Sequence, residues 1–141
     1  MKKESNFNQQ KLLPDTNLLI LGLKGESVQG EVLHHLIKEK LLALSPIVIA
    51  EFLVRAKPFD QNVLRKLTSE FRTYLIDGET AQIAAEYRRE FMRKKHKSYL
   101  MDCFVAASCK QHDLILVTNN TADFPMRDIQ IYTPQALLKK I

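Results

Sequence analysis

Four acidic side chains, Asp15, Glu51, Asp102 and Asp123, interrupt sequence that is otherwise apolar or that follows directly on an apolar run. Asp15 separates the run at 11 to 14 from Leu18 to Leu21. Glu51 lies within Ile47-Val48-Ile49-Ala50-Glu51-Phe52-Leu53-Val54, and Asp102 within Tyr99-Leu100-Met101-Asp102-Cys103-Phe104-Val105-Ala106-Ala107, a stretch with no Lys or Arg from 98 through 109. Asp123 closes the polar turn after Leu114-Ile115-Leu116-Val117. A carboxylate in apolar surroundings is costly unless it is capped, paired or used. Taken singly, Asp15 reads as a helix N-cap, Glu51 as a partner for Arg55 one turn on, and Asp123 as an ordinary loop aspartate. Asp102 has no local partner at helical spacing, so Glu51 and Asp102 are the hardest to explain without function. Carboxylates brought within a few ångströms repel one another and raise each other's pKa unless a hard divalent cation such as Mg2+ or Mn2+ neutralises them. The four together predict a metal-dependent site.

The elements that must position these acids can be read from the spacing of apolar residues. Runs at 11–14, 40–44, 73–76 and 114–117, with a weaker one at 129–132, read as buried strands. Between them, Val28, Val32, Leu36 and Ile37, then Val63, Leu64, Leu67 and Phe71, then Ile83, Tyr87 and Phe91 recur at helical spacing. Ser45-Pro46 and Thr133-Pro134 place a capping hydroxyl before a proline at the first helical position, Asp60 and Ser98 are candidate caps, and Lys57-Pro58 marks a break between helices. Strands alternating with helices predict an α/β fold with a parallel sheet covered on both faces. In such a sheet, ligands bind beyond the carboxyl ends of the strands.

Length and composition bound the rest. The 141 residues, 45% hydrophobic, suffice for one domain, 1–141, whose first ten residues form a polar N-terminal extension. That extension has no apolar h-region, which predicts a cytoplasmic protein, and the apolar runs fall far short of the ~20 residues that span a bilayer. Cys103 and Cys109 make neither a zinc site nor a disulfide framework. His34, His35, His96 and His112 form no ligand pair, since neighbours on a helix point in different directions. A net charge of +5 fits a polyanionic partner without demanding one.

At its acidic residues the chain resembles the PIN-domain family, especially the small VapC-type toxin ribonucleases of bacterial and archaeal toxin-antitoxin pairs. The likeness covers nearly the whole chain. It rests on Asp15-Thr16-Asn17, on Glu51 in Ser45-Pro46-Ile47-Val48-Ile49-Ala50-Glu51-Phe52, on Asp102-x-x-x-Ala106-Ala107, and on Thr118-x-Asn120-x-x-Asp123-Phe124, in that order. Met101 and Asn119 stand where the family often has proline and arginine. The resemblance implies a three-layer α/β/α sandwich around a parallel sheet of about five strands. It also implies endonucleolytic cleavage of RNA, with Asp15, Glu51, Asp102 and Asp123 converging on magnesium or manganese. Asp15 and Asp102 are then the principal ligands, Asp123 binds directly or through water, and Glu51 positions the ion. Thr118 and Asn120 orient these ligands, and Asn17 supports the Asp15 loop. An antitoxin protein and a second copy of the chain are the partners implied, with helices around 32 to 42 and 63 to 71 helping to form the antitoxin groove.

The segment 88–97 carries Arg88, Arg89, Arg93, Lys94, Lys95 and Lys97, six cations in ten residues, just before the helix of Asp102. It reads either as a guide for the phosphate backbone or as a solvated helix end favoured by the macrodipole. Alternatives to the toxin are a solitary RNA-processing nuclease, a PIN domain that binds RNA or protein without cutting, and a receiver-like signalling domain. The complete set of acids argues against the second, and the acids inside helices at Glu51 and Asp102 are not required by the third.

Overall fold

The computed structural model describes residues 10–25 and 27–141, so most of the polar extension at 1–10 lies outside the described residues. The Leu-, Ile- and Val-rich runs expected to be strands lie side by side in the order 73, 42–44, 12–14, 115–117, 130–132, all parallel. Strands β1 (Leu12–Pro14), β2 (Ile115–Val117) and β3 (Gln130–Tyr132) form the sheet proper, with Leu13 opposite Leu116 and Leu116 opposite Ile131. The two remaining segments make only isolated bridges, Leu12 with Leu42 and Leu44 with Thr73. The sheet therefore has three strands among the described residues rather than about five. Pairing is brief because Ser45, the cap of the next helix, turns the chain away at once. The Thr73 segment is at the edge, with Leu75 72% exposed. Even so, Leu12 N–H donates to Leu41 O at 2.8 Å and Tyr74 N–H donates to Leu44 O at 2.8 Å, so backbone pairing reaches across all five segments.

Every residue of β1 and β2 is buried, as a parallel sheet covered on both faces requires. The covering helices are α1 (Thr16–Leu23), α2 (Ser27–Lys38), α3 (Pro46–Arg55), α4 (Pro58–Glu70), α5 (Gly78–Arg93), α6 (Leu100–His112) and α7 (Pro134–Leu138). Helix α2 turns Val32, Leu33 and Leu36 inward, α4 Leu64 and Leu67, and α5 Ala84, Tyr87 and Phe91, in keeping with their sequence periodicity. Helices α1 and α2 pack closely enough that a Cβ on Gly22 would fall 2.8 Å from Leu33 Cδ2. Helix α6 is buried on most sides, through Cys103, Val105, Ala106, Ala107, Ser108 and Cys109, and packs against α5, α3 and β2.

The expected starts at Ser45 and Thr133 hold, each hydroxyl accepting a backbone N–H of its own helix, at 3.1 Å from Ile47 and 3.1 Å from Ala136. Two expected caps do not. Helix α4 is entered through Lys57, with Asp60 inside its first turn, and α6 through Tyr99. Lys57, three residues before Asp60, and Tyr99, one residue after Ser98, have the extended backbone from which each helix begins, and the Ser98 side chain is drawn elsewhere.

Candidate acidic active site

Asp15 is the first residue beyond β1, where its backbone N–H completes the ladder by donating to Val117 O at 3.0 Å. Its side chain caps α1, Oδ1 accepting Leu18 N–H at 2.9 Å. The other oxygen, Oδ2, accepts from the hydroxyl of Thr118, the buried residue just past β2. That hydroxyl is itself fixed, because it accepts Asn120 N–H at 2.9 Å. A relay from Asn120 through Thr118 thus sets the rotamer of Asp15. The capping role that explained Asp15 alone and its place at a strand end are therefore compatible.

The other acids arrive from separate elements. Glu51 comes from α3, Asp102 from the first turn of α6, and Asp123 from the 3-10 turn Thr121–Asp123 after β2. All four carboxylates line one cleft of about 380 Å³ at the carboxyl ends of β1 and β2, together with Thr16, Asn17, Asn120, Val48, Val54, Val105 and Phe124. The structure brings together six of the expected site residues there, and holds the seventh, Thr118, behind Asp15. Arg88, Arg89, Arg93, Lys94, Lys95 and Lys97 do not line it. They lie at the end of α5 and in the loop after it, all exposed except the half-buried Arg88.

The environments of the acids differ. Burial pushes the Asp102 carboxyl up to about 6, with repulsion from Asp123, Glu51 and Asp15 adding to it. Burial also raises Asp15, against the opposing hydrogen bonds from Thr118 and Leu18, and Glu51 and Asp123 add repulsion. Glu51 departs from the sequence expectation of a desolvated carboxylate, since it is exposed and its Oε1 accepts the Thr16 hydroxyl at 2.6 Å. The apolar residues around it on α3 divide between the core, through Val48 and Phe52, and exposed surface, through Leu53 and Val54. Nor does Glu51 pair with Arg55. Among the described residues the ion pairs are Lys94 with Glu90 and Lys110 with Asp128, and Arg55 lines the cleft without a carboxylate partner.

Two contributors to the site were not among its expected residues. Thr16, buried beside Asp15, holds Glu51, and its signal was present in the hydroxyl directly after Asp15. Ser98, expected as a helix cap, donates instead to the backbone carbonyl of Asp123 at 3.3 Å and touches Cys103 Sγ at 3.6 Å. It ties the Asp123 turn to the start of α6.

The donor set is all oxygen, from carboxylates, hydroxyls and amides, with no Cys or His in the lining, which suits a hard cation of the magnesium or manganese type. Among the described residues no three acidic, His or Cys side chains are grouped closely enough, as they stand, to hold a metal ion. The carboxylates are instead spread around an open cleft, close enough to raise one another's proton affinity. An open, anionic, oxygen-lined cleft can accept a cation while leaving room for a substrate oxygen and water.

The model of the PIN domain family matches residues 12–129. A ribonuclease of Mycobacterium tuberculosis, VapC10, is 28% identical over 115 residues, which are 82% of this chain and 86% of that protein. Among solved structures, a toxin-antitoxin complex from Klebsiella pneumoniae contains a chain 29% identical, with a TM-score of 0.68, matched over 88% of this chain and 98% of that one. VapBC2 from Rickettsia felis, bound to a DNA fragment from its promoter, has a chain with a TM-score of 0.72 at 22% identity, over 88% of this chain and 98% of its own.

Proposed function

The chain belongs to the PIN domain family, and on that premise we propose that it is a metal-dependent endoribonuclease, the toxin of a toxin-antitoxin pair. The observation that carries the reading is the convergence of Asp15, Glu51, Asp102 and Asp123, from four separate stretches of chain, on one cleft at the carboxyl ends of the strands. The ribonuclease name of the relative from M. tuberculosis and the toxin-antitoxin neighbour at 29% identity support the activity and the kind of partner.

In this reading Asp15 and Asp102 hold the cation, Asp123 does so directly or through water, and Glu51 positions it. When bound, magnesium or manganese supplies Lewis-acid activation of water and neutralises charge at the scissile phosphodiester. The chain's own residues prepare that chemistry. Asn120 and Thr118 fix Asp15, Thr16 fixes Glu51, and Ser98 holds the Asp123 turn against α6. A carboxylate whose second oxygen is already hydrogen-bonded loses less freedom on binding an ion, which is how such supporting groups tune affinity. Asn17, exposed at the rim, is placed to meet substrate and to support the Asp15 turn. Arg55 supplies a cation inside the cleft for a phosphate oxygen, and the 88–97 segment adds a diffuse attraction that orders no sequence. We further place the protein in the cytoplasm, paired with an antitoxin and with a second copy of itself. Exposed Val54, Phe59 and Leu75, at 84%, 76% and 72%, offer apolar surface for such contacts.

End-labelled RNA incubated with the purified chain tests the activity. Internal cuts are expected with magnesium or manganese, none with EDTA, and cutting slowed on the order of 100-fold or more with Asp102→Asn at matched concentration. Cutting that persists in EDTA, or that is undiminished in the variant, removes the proposed site.

A further inference from the structure

Helix α6 begins with a surface that the cleft chemistry leaves unused. Tyr99, Leu100 and Met101 are exposed large side chains at its start, Tyr99 being 57% exposed. Lys97 Nζ lies 5.7 Å from the centroid of the Tyr99 ring, within the range at which a cation is attracted to an aromatic face. The residues just before are the exposed Arg93, Lys94, Lys95, His96 and Lys97. Lys94 is engaged with Glu90 at 2.9 Å, and Lys95, at φ 59°, turns the chain out of α5.

The position of this surface is fixed relative to the acids. Tyr99 stands three residues ahead of Asp102, and its carbonyl accepts Cys103 N–H at 3.0 Å. Its neighbour Ser98 is buried and bonded to the backbone of Asp123. An exposed aromatic is thereby anchored at the end of α6 that carries Asp102, next along the chain to the residue that holds the Asp123 backbone. Aromatic faces stack on unpaired bases of any identity while flanking cations track the phosphates, and that combination is the usual platform for single-stranded nucleic acid. Tyrosine and methionine also suit protein–protein interfaces, but lysine is depleted there, and Lys94, Lys95 and Lys97 all lie close before this ring along the chain.

We propose that Tyr99 is a substrate-positioning residue, on which an unpaired RNA base next to the scissile phosphate stacks, with Lys95 and Lys97 contacting the adjoining phosphates. The proposal rests on the ribonuclease reading of the acidic cleft and adds a requirement for an unpaired nucleotide at that position.

Stopped-flow mixing with a single-stranded RNA carrying 2-aminopurine, in magnesium, reads stacking as quenching before any cleavage. The parent chain is expected to quench, Tyr99→Phe to retain quenching and affinity, and Tyr99→Ala to lose quenching and bind about tenfold more weakly. An oligonucleotide abasic at the same position is expected to bind parent and Tyr99→Ala alike, which a merely structural role for the ring would not produce. Thermal melts of the variants, expected to match the parent because the ring is exposed, check that folding is unchanged. Absence of quenching by the parent, or equal quenching by Tyr99→Ala, overturns the proposal. So does an altered oligomeric state of Tyr99→Ala with RNA binding intact, which would make the ring a protein contact. Quenching without cleavage would leave the platform standing and sink the catalytic reading instead.

Discussion

Helices α3 and α6 each deliver one acid to the same cleft, in opposite conditions. Glu51 on α3 is exposed and already satisfied by the Thr16 hydroxyl. Asp102 on α6 is half-buried, has no side-chain hydrogen bond among the described residues, and is pushed up to about 6 by burial and by its three acidic neighbours. The difference lies in how the helices are used. Helix α3 buries mainly Val48 and Phe52 and keeps its remaining faces in water, whereas α6 is embedded on most sides and carries its acid into the protein. An anion held at a loss is the one whose charge a cation relieves most, so Asp102 should dominate metal binding and Glu51 should refine it.

The largest expected effect is the split between activity and stability at Asp102. Asp102→Asn should lower RNA cleavage on the order of 100-fold or more, since even supporting groups around a metal contribute 10–100-fold. Without metal, the same change should raise Tm. The folded carboxyl, near 6, binds its proton more tightly than the ordinary value of 3.8. The folded state thus holds more protons between those values, and stability falls as pH rises through them, with the loss complete above about 6. Melts of parent and variant in EDTA from pH 4 to 8 should converge at the acid end and separate above pH 6. Glu51→Gln should leave the EDTA melt of the parent unchanged within about 0.5 kcal/mol, as exposed sites usually do. Equal stabilisation by both substitutions would erase the contrast between the helices.

A smaller effect is expected from Thr16→Val, which frees Glu51. Single-turnover cleavage should slow about tenfold, and Thr16→Ser should keep the parent rate. At Asp15, the cap can be separated from the ligand. Asp15→Ala should lower stability by about 1 kcal/mol more than Asp15→Asn in denaturant titrations, because asparagine can still accept Leu18 N–H. Smallest is the pair Arg93→Ala with Lys94→Ala, which should weaken RNA binding at low salt and converge with the parent at high salt. Identical salt dependence would return the 88–97 segment to an ordinary solvated helix end.

Glu51 and Asp102 were legible because each breaks an apolar run, whereas Asp15 and Asp123, unremarkable singly, became legible only within the ordered set. A carboxylate inside Tyr99–Ala107 contradicts the apolar run around it, and the ordered motifs then pointed to the family that residues 12–129 match. The apolar runs at 12–14 and 115–117 pointed to a parallel sheet, since strands buried on both faces read as near-continuous apolar runs, and the weaker Gln130-Ile131-Tyr132 joins it as a less buried edge. Strand extent was not legible, because a run such as 40–44 shows burial but not how soon Ser45 will bend the chain away. The exposure of Glu51 was hidden for a related reason. Apolar residues on all faces of a short helix suggest burial, yet Leu53 and Val54 remain open at 42% and 84%. The tertiary hydrogen bonds of Thr16 and Ser98 cross 35 and 25 residues, and no local spacing announces them.

Titration of Mn2+ into the purified chain and into Asp102→Asn, followed by calorimetry, addresses the acidic cleft as a single metal site without relying on RNA. Saturable binding by the parent is expected, weakened at least tenfold in the variant. A parent that binds no Mn2+, or a variant that binds it as tightly, would contradict the assignment of these four carboxylates to one centre.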